Sequence, residues 1–305
     1  MSKSALLFAG QGAQYAGMGN RLMHHAAGKE TFQEADDTLG INISYLCCNG
    51  TDSDLIDTKI TQPAILTCSI AALRILSQKG AISTQPSATA GLSVGEYSAL
   101  VASETLNFAE ALKLVEERGR LMAEAASANP GMMMAILGLD DNTVRSICEK
   151  ARHFGIVGPA NYNCPGQIII SGEGKAVQRA AELAQEAGAK RCKELNVNGA
   201  FHSVLMLSAE SGLRKVLNDV STSKPKIPFI ANVTAKYLEE PEKIKETLAR
   251  QLSNPIQWEA SIRRMIDDGI TNFVEIGPGK VLTGLMRRIC REAEICNSDS
   301  LITDH

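Results

Sequence analysis

In the first 126 residues, short apolar runs alternate with longer segments whose apolar residues recur at helical spacing. Residues 5–10, ALLFAG, predict a buried strand that ends in a glycine turn, and residues 88–91, ATAG, predict a second short strand. Helices are predicted over residues 61–80, which have a proline near the start and a glycine at the end, and over the strongly amphipathic residues 107–126. This alternation favours a parallel sheet that is covered by helices.

The middle of the chain follows a different plan. Its predicted elements are a strand, a helix, two strands, a helix and a strand, over residues 132–139, 140–155, 156–163, 167–172, 173–189 and 191–197. The order βαββαβ is that of a ferredoxin-like unit. We therefore predict an α/β body, formed by residues 1–126 and 198–305, that carries a ferredoxin-like insert over residues 127–197. A cleft is expected where the insert meets the body.

Composition narrows the possible functions and partners. The chain has 305 residues, 44% of them hydrophobic, and a net charge of −3, so nucleic acid and anionic membrane surfaces are not expected as partners. No apolar run approaches the roughly 20 residues that a membrane span needs. The eight cysteines show no CxxC spacing and no neighbouring histidine cluster, which predicts reduced cysteines in a cytoplasmic protein and no metal site.

A serine between two glycines follows the predicted strand at residues 88–91. The segment GLSVGEYSAL, residues 91–100, contains the pattern G-x-S-x-G around Ser93 and continues into a predicted helix over residues 94–102. This pattern at a strand-to-helix junction is typical of a nucleophile elbow, in which free N–H groups of the helix can hold an oxyanion. Glycine and serine are also common at ordinary helix starts, so the pattern alone fits both interpretations.

A nucleophilic serine usually needs a base, and histidine is the most frequent one. The chain has only five histidines, which are His24, His25, His153, His202 and His305. His202 lies where the chain leaves the insert and re-enters the body, at the expected cleft, whereas the others lie in polar or terminal segments. His202 is therefore the best candidate base, although a lone histidine more often has a structural role.

The acid of a catalytic triad is missing from the expected place. In α/β hydrolases the acid lies between serine and histidine in chain order. The only aspartates between Ser93 and His202 are Asp140 and Asp141, which lie at a helix start inside the insert. Glu96, one helical turn after the serine, is better placed to support the elbow. A Ser–His dyad whose histidine is oriented by a backbone carbonyl fits the sequence better than a triad.

Two further residues are candidates for binding roles. Gln11 follows the first strand in FAGQGAQYAGMG, residues 8–19, so its backbone N–H could face a site at the carboxyl edge of the sheet. The G-x-G-x-x-G and G-K-[ST] spacings of phosphate-binding loops are absent, and a plain turn fits equally well. Arg118 lies on the amphipathic helix and could bind a carboxylate bidentately, although an arginine among glutamates is usually solvent-exposed.

Seven motifs together resemble the malonyl-CoA:acyl carrier protein transacylases, which load malonyl groups in fatty acid synthesis and are related to polyketide synthase acyltransferase domains. The resemblance extends from Leu6 to about Arg291 and rests on GQGAQ (10–14), GLSVGEYSALVA (91–102), ERGRLM (117–122), ANYNCPGQIIISG (160–172), GAFHS (199–203), QLSNPIQW (251–258) and EIGPGKVLTGL (275–285). It implies an α/β-hydrolase-like body with a parallel sheet and an inserted ferredoxin-like subdomain.

The resemblance also implies the reaction. Ser93 would be malonylated by malonyl-CoA, with His202 as its base, and the malonyl group would pass to the phosphopantetheine thiol of acyl carrier protein in a ping-pong transfer. Arg118 would bind the free carboxylate of malonate. No metal and no bound cofactor would be needed, and the enzyme would be a cytoplasmic monomer.

Other site residues follow from the resemblance at matching positions. The backbone N–H groups of Gln11 and Val94 would form the oxyanion hole, the carbonyl of Gln251 would orient His202, and Asn161 would be an active-site neighbour. Leu92 is a departure, because many bacterial members have a histidine just before the serine. We expect this difference to tune the site and not to abolish activity.

Acyl carrier protein is acidic, so basic residues are expected at the rim of the cleft. The candidates are Lys190, Arg191, Arg287 and Arg288. The alternatives are a transferase of a polyketide pathway, a serine hydrolase and a non-catalytic scaffold that binds a carrier protein. The motif GAFHS favours malonyl over a branched extender unit, the missing acid counts against a hydrolase, and the complete set of Ser93, His202 and Arg118 counts against a scaffold.

Overall fold

The computed structural model describes residues 3–83 and 85–302, so His305 lies outside the described residues. Up to the insert, the elements are β1 (Lys3–Phe8), α1 (Ala26–Leu39), α2 (Ile43–Asn49), α3 (Thr58–Gln78), β2 (Ala88–Gly91), α4 (Gly95–Ala102) and α5 (Phe108–Ala128). The insert contains β3 (Met132–Leu137), α6 (Asp141–Ala151), β4 (Val157–Cys164), β5 (Gln167–Gly172), α7 (Gly174–Glu186) and β6 (Arg191–Glu194). The chain then forms α8 (Leu207–Asn218), β7 (Phe229–Ala231), β8 (Lys236–Leu238), α9 (Pro241–Arg250), α10 (Trp258–Asp267), β9 (Ile270–Ile276), α11 (Val281–Ile289), β10 (Glu294–Asn297) and α12 (Ser298–Leu301).

Within residues 3–83 and 85–302, six strands form the sheet of the body, in the order β10-β9-β1-β2-β7-β8. Neighbouring strands run parallel except β7 and β8, which form an antiparallel pair. Phe8 at the end of β1 lies opposite Gly91 at the end of β2. The loops that follow β1, β2 and β7 therefore meet at one edge of the sheet, which is where parallel α/β folds place their sites.

Helix α3 is the apolar centre of the helical layer on one face of this sheet. It is 21 residues long, and its most apolar window has a mean hydropathy of 1.4, which is enough for a membrane span by length and composition. The expectation that no segment reaches this limit is therefore wrong. However, 78% of that window is buried inside the protein, where α3 packs against α1, α4 and α5. The hydrophobicity of α3 thus corresponds to a core helix.

The four strands of the insert form a separate antiparallel sheet in the order β4-β5-β3-β6. This order and the sequence βαββαβ are those of a ferredoxin-like unit, so the predicted fold class is confirmed. Helices α6 and α7 cover one face of the sheet and share a hydrophobic cluster with it. The strands lie within the predicted insert of residues 127–197, whose boundaries stay a prediction.

Local signals explain where the insert helices begin and end. The carboxylate of Asp140 accepts a hydrogen bond from the N–H of Thr143, and this is the acidic cap that the sequence predicted for α6. Helix α6 ends at Ala151, four residues before the predicted end, because a 3₁₀ turn and Gly155 with a φ of 133° follow it. Helix α7 ends at Glu186, and Gly188, two residues later, has a left-handed φ of 90° that does not continue a helix.

The insert is fastened to the body along β4. The N–H of Ile256 donates to the carbonyl of Ala160 at 2.8 Å, and the N–H of Tyr162 donates to the carbonyl of Ile256 at 2.9 Å. Helices α10 and α11 of the body also pack against β4. These contacts fix β4 beside the segment that follows Gln251.

Candidate active site

Ser93 lies on a tight turn between β2 and α4 and has a left-handed backbone with a φ of 54°. A Cβ at Gly91 would overlap the backbone of Gly95, and a Cβ at Gly95 would overlap the carbonyl oxygen of Phe8. Both glycines of G-x-S-x-G are therefore required by close backbone approach. A non-glycine residue at positive φ is strained, and such strain is often found at functional sites. This geometry is that of a nucleophile elbow and not of an ordinary helix start.

His202 faces Ser93 across the cleft. Its Nε2 lies 2.9 Å from the Oγ of Ser93, and its Nδ1 lies 2.7 Å from the carbonyl oxygen of Gln251. A carbonyl oxygen can only accept, so Nδ1 carries the proton and Nε2 is free to accept the proton of Ser93. Burial, reinforced by the positive charge of Arg118, lowers the pKa of His202 to about 4, although the hydrogen bond to Gln251 favours the cation. The imidazole is therefore a neutral base at neutral pH.

The guanidinium of Arg118 completes the immediate surroundings of Ser93. It is only 1% exposed, which excludes the alternative of a solvent-exposed arginine on a helix face. Nη1 donates to Gln62 at 2.6 Å, and Nη2 donates to the side-chain oxygen of Gln251 at 2.7 Å and to the Oγ of Ser93 at 3.1 Å. The guanidinium also lies over the ring of Tyr97, 5.7 Å from its centroid. A fixed positive charge thus adjoins the serine oxygen.

A buried carboxyl group and a buried amide lie behind the serine. Oε1 of Glu96 accepts from the N–H of Asn232 at 2.7 Å, and Oε2 accepts from the side-chain amide of Gln251. Burial raises the pKa of Glu96 to about 8, although these two hydrogen bonds and the charge of Arg118 favour the carboxylate. Asn232 in turn contacts the serine directly, because its Oδ1 accepts from the N–H of Ser93 at 2.8 Å.

The sequence reasoning overlooked Asn232 and Gln62. Asn232 follows the apolar run of β7 directly, and β7 lies next to β2 in the sheet. A polar residue at the carboxyl end of a predicted strand was therefore an available signal for Asn232. Gln62 is fully buried in the apolar helix α3, where a lone amide within a hydrophobic run was the corresponding signal.

The two predicted oxyanion donors belong to segments that meet at the elbow. Val94 is the residue directly after Ser93, at the start of α4, and is 1% exposed. Gln11 follows Gly10, and a Cβ at Gly10 would overlap the carbonyl oxygen of Leu92. The loop after β1 is therefore in backbone contact with the turn that carries the serine.

Asn161 lies on β4, where it forms an isolated parallel bridge with Ile256. Asn161 is 8% exposed, and it pairs with Ile169 of β5 in the insert sheet. The structure thus brings Asn161 to the seam between the insert and the segment after Gln251.

A cavity of about 670 Å³ connects the surface with His202. Residues 155–159 and Ser171 line it from the insert, and residues 202–204 and 253–255 line it from the body. It therefore lies in the predicted cleft between the two units. Its lining consists largely of glycine and of small or apolar residues, with Arg152 and Glu173 as its charged members.

The predicted basic residues lie at one end of the insert. Lys190, Arg191, Arg287 and Arg288 are all exposed. Arg288 donates to the side chain of Gln167 at 2.7 Å and to the carbonyl of Pro165 at 3.2 Å, so it connects α11 with the turn between β4 and β5. Lys190 packs against Gly138, which adjoins Gly166 in that turn. Among residues 3–83 and 85–302, no group of three His, Cys, Asp or Glu side chains could hold a metal ion.

Known proteins share both the sequence and the fold of this chain. The family model of the acyl transferase domain matches residues 5–303. The malonyl CoA-acyl carrier protein transacylase of Bacillus subtilis (strain 168) is 46% identical over 293 residues, which cover 95% of this chain and 92% of that protein. The crystal structure of acyl-carrier-protein S-malonyltransferase from Burkholderia pseudomallei 1710b superposes with a TM-score of 0.95 at 39% identity and covers 98% of this chain and 99% of its own. A malonyl transacylase in complex with its type II polyketide synthase acyl carrier protein superposes with a TM-score of 0.94 at 39% identity, over 97% of this chain and 96% of that one.

Proposed function

The chain belongs to the acyl transferase family, among the malonyl CoA-acyl carrier protein transacylases, and we propose that it transfers a malonyl group from malonyl-CoA to the phosphopantetheine thiol of an acyl carrier protein. The observation that carries this proposal is the position of the Ser93 Oγ between two groups. The Nε2 of neutral His202 lies 2.9 Å from it, and the Nη2 of Arg118 lies 3.1 Å from it. A base and a carboxylate-binding cation thus adjoin one nucleophile.

In the first half-reaction, the Oγ of Ser93 attacks the thioester carbonyl of malonyl-CoA while His202 Nε2 takes its proton. The N–H groups of Gln11 and Val94 hold the oxyanion of the tetrahedral intermediate, and losing one such donor typically costs about 10²–10³ in rate. The C–S bond then breaks, the proton on His202 passes to the departing CoA sulfur, and a malonyl ester remains on Ser93. These steps use only groups of the chain itself.

In the second half-reaction, the phosphopantetheine thiol of the carrier enters in place of CoA. His202 takes the proton of this thiol as its sulfur attacks the malonyl ester, and it returns the proton to Ser93 when the C–O bond breaks. The cavity beside His202 could admit a pantetheine arm, and its lining includes the apolar side chains of Ile156 and Val204. CoA and the carrier both bear this arm, so one channel serves both half-reactions.

Arg118 supplies the preference for a diacid. In a malonyl group on Ser93, one CH₂ separates the free carboxylate from the ester carbonyl. This carboxylate would therefore fall within reach of the guanidinium beside Oγ. A hydrogen bond to a charged group is worth roughly 1.5–3 kcal/mol, and an acetyl group forgoes it. Gln62 and Gln251 accept from the two terminal nitrogens of Arg118 and hold the guanidinium in place, so the same pairing would orient the acyl group.

The proposal is tested by the mass of the intact protein after it is mixed with malonyl-CoA. The wild type should gain one malonyl group, and Ser93→Ala should gain none while it keeps its fold, because the change removes a single partly exposed oxygen. Addition of holo acyl carrier protein should then discharge the wild-type adduct and produce malonyl carrier. A malonyl adduct on Ser93→Ala at the wild-type level would place the nucleophile elsewhere, and release of free malonate without transfer would indicate a hydrolase.

Carriers from fatty acid and polyketide pathways compared in the same assay would decide the pathway. Fatty acid synthesis is the pathway that we propose. A cytoplasmic location and a monomeric state remain predictions from the sequence.

A further inference from the structure

Two buried side chains and one backbone N–H group hold the backbone of Ser93. The N–H of Ser93 donates to the Oδ1 of Asn232 at 2.8 Å, and the carbonyl of Ser93 accepts from the Nε2 of Gln251 at 3.0 Å. The same carbonyl also accepts from the N–H of Glu96 at 3.0 Å. Asn232 and Gln251 are 139 and 158 residues away from the serine in the sequence, so the tertiary fold supplies these contacts.

The side chain of Glu96 connects Asn232 with Gln251. One of its oxygens accepts from the backbone N–H of Asn232 and the other accepts from the side-chain amide of Gln251. The side chain of Asn232 also donates to the carbonyl of Gly91 at 2.7 Å, two residues before Ser93. Asn232, Glu96 and Gln251 are 0%, 1% and 0% exposed, so water does not compete for these hydrogen bonds.

The turn needs such support for a physical reason. A serine with a φ of 54° is held in a sparsely populated conformation, which persists only when its surroundings fix it. A buried carboxylate is costly unless its oxygens are paired, and Glu96 has donors at both. Either protonation state of the carboxyl keeps oxygen acceptors for these donors. None of the three contacts of Glu96 involves the Oγ of Ser93 or the imidazole of His202.

We propose that Glu96, Asn232 and Gln251 form an elbow clamp, in which Glu96 is a positioning residue that fixes Ser93 in its left-handed conformation and so sets the distance from Oγ to His202. The clamp deepens the proposed function and rests on it, because its effect is expressed through the nucleophilicity of Ser93. Gln251 has a second role, because its backbone carbonyl also orients His202. The clamp thereby couples the placement of the nucleophile to that of its base.

Glu96→Gln tests the clamp, because an NH₂ group then faces either Asn232 or Gln251 and both of these are donors. We expect acylation of Ser93 by malonyl-CoA in a single turnover to slow by about 10²-fold, the order expected for a misplaced reacting group. The concentration of malonyl-CoA at half-maximal rate should change little, because the cavity and Arg118 are retained. Labelling of Ser93 by a fluorophosphonate, which does not need Arg118, should slow in parallel. Glu30→Gln, an exposed residue of α1, is the matched control and should react like the wild type.

A second variant keeps the test decisive if Glu96→Gln folds poorly. Asn232→Ala removes the contacts with the N–H of Ser93 and the carbonyl of Gly91 but leaves the backbone N–H that Glu96 accepts from. Asn232→Ala should also slow both the acylation and the labelling of Ser93. The double variant Glu96→Gln with Asn232→Ala should be slowed by less than the product of the two single rate losses, because residues of one network are not independent.

Three results would overturn the clamp. They are a wild-type rate per folded molecule in Glu96→Gln, a wild-type rate in Asn232→Ala, and losses in the double variant that multiply as for independent sites. Failure of the wild-type protein to be labelled at Ser93 by either reagent would instead refute the proposed function. The two failures are therefore distinguishable.

Discussion

Ser93 and His202 share an unusual backbone. Their φ angles are 54° and 56°, in the left-handed region that residues with a side chain rarely adopt. Left-handed backbone costs of the order of 1–3 kcal/mol for a residue with a side chain. The site therefore holds two strained residues at a separation of 2.9 Å between Oγ and Nε2. Their alignment comes from the fixed backbone, so little reorganisation is needed when the proton moves.

The buried position of His202 predicts a shift of the pH profile. A base must be neutral, and the pKa of His202 lies at about 4 instead of its ordinary 6.5, so the neutral form persists as the pH falls below 6.5. Single-turnover acylation by malonyl-CoA should stay nearly constant between pH 7 and pH 5.5 and fall only when the pH approaches 4. Circular dichroism over the same range checks that the protein is folded. A rate that halves near pH 6.5 would contradict the prediction.

Arg118 carries the prediction on acyl selectivity. Arg118→Ala should lower malonyl transfer by orders of magnitude and narrow the gap between malonyl-CoA and acetyl-CoA, because only the diacid loses an ionic partner. The ratio of the two kcat/KM values measures this. Arg120→Ala is the control on the same helix, since Arg120 is exposed and pairs with Glu117 and Glu124. Equal losses for both substrates in Arg118→Ala would assign Arg118 a structural role only.

Among the secondary-structure elements, α4 is the one whose position decides the geometry of the elbow. It begins at Gly95, directly under the end of β1, and its first turn contributes Glu96 and Tyr97 to the buried surroundings of Arg118. The close approach of α4 to β1 is possible only without a side chain at position 95. The distance between the proposed oxyanion donors of Gln11 and Val94 depends on this approach.

Gly95→Ala should therefore separate α4 from β1. The added Cβ would overlap the carbonyl oxygen of Phe8, and overpacking of this kind typically costs about 1–3 kcal/mol. We expect a lower free energy of unfolding in urea and slower acylation of Ser93. Gly284→Ala is the matched control, because it lies exposed on α11 and no neighbouring element comes within 4 Å of an added Cβ. Equal stability of Gly95→Ala and wild type would show that the approach is not tight.

The extent to which the sequence predicted the structure differs between elements for physical reasons. The insert elements were predictable because apolar spacing, the Asp140 cap and glycine turns are local signals. Ser93 and His202 were identified from local patterns and by elimination, and the structure places them in contact. The contacts of Asn232 and Gln62 with the site depend on which strands and helices are neighbours, and that arrangement is not local. Site residues whose contacts depend on tertiary packing were therefore not predicted from the sequence.

At the scale of the whole molecule, the site depends on the junction of two units. Ser93, Arg118 and Gln251 belong to the body, and His202 lies where the chain returns from the insert to the body. The cavity that reaches His202 has one wall from each unit. The hydrogen bonds of Ile256 with Ala160 and Tyr162 hold these walls together. We therefore expect a carrier protein to dock where both units are accessible.

The surface around Lys190 and Arg287 is the predicted docking site for an acidic carrier. Rim charges act mainly on the rate of encounter and on its salt dependence. Reversing Arg288 as well would disturb its contacts with Gln167 and Pro165, so Lys190→Glu with Arg287→Glu is the cleaner test.

This double variant should raise the KM for acyl carrier protein and weaken the salt dependence of kcat/KM, because it removes attraction without touching the site. Loading of Ser93 from malonyl-CoA should stay near the wild-type rate, since that step needs no carrier. Lys29→Glu with Lys113→Glu, exposed on α1 and α5, is the control for the same change in net charge. Equal damage to both half-reactions would indicate a disturbed fold or a site for the CoA phosphates. Unchanged carrier kinetics would place docking on another face, and Arg152→Glu at the cavity beside His202 would then raise the KM instead.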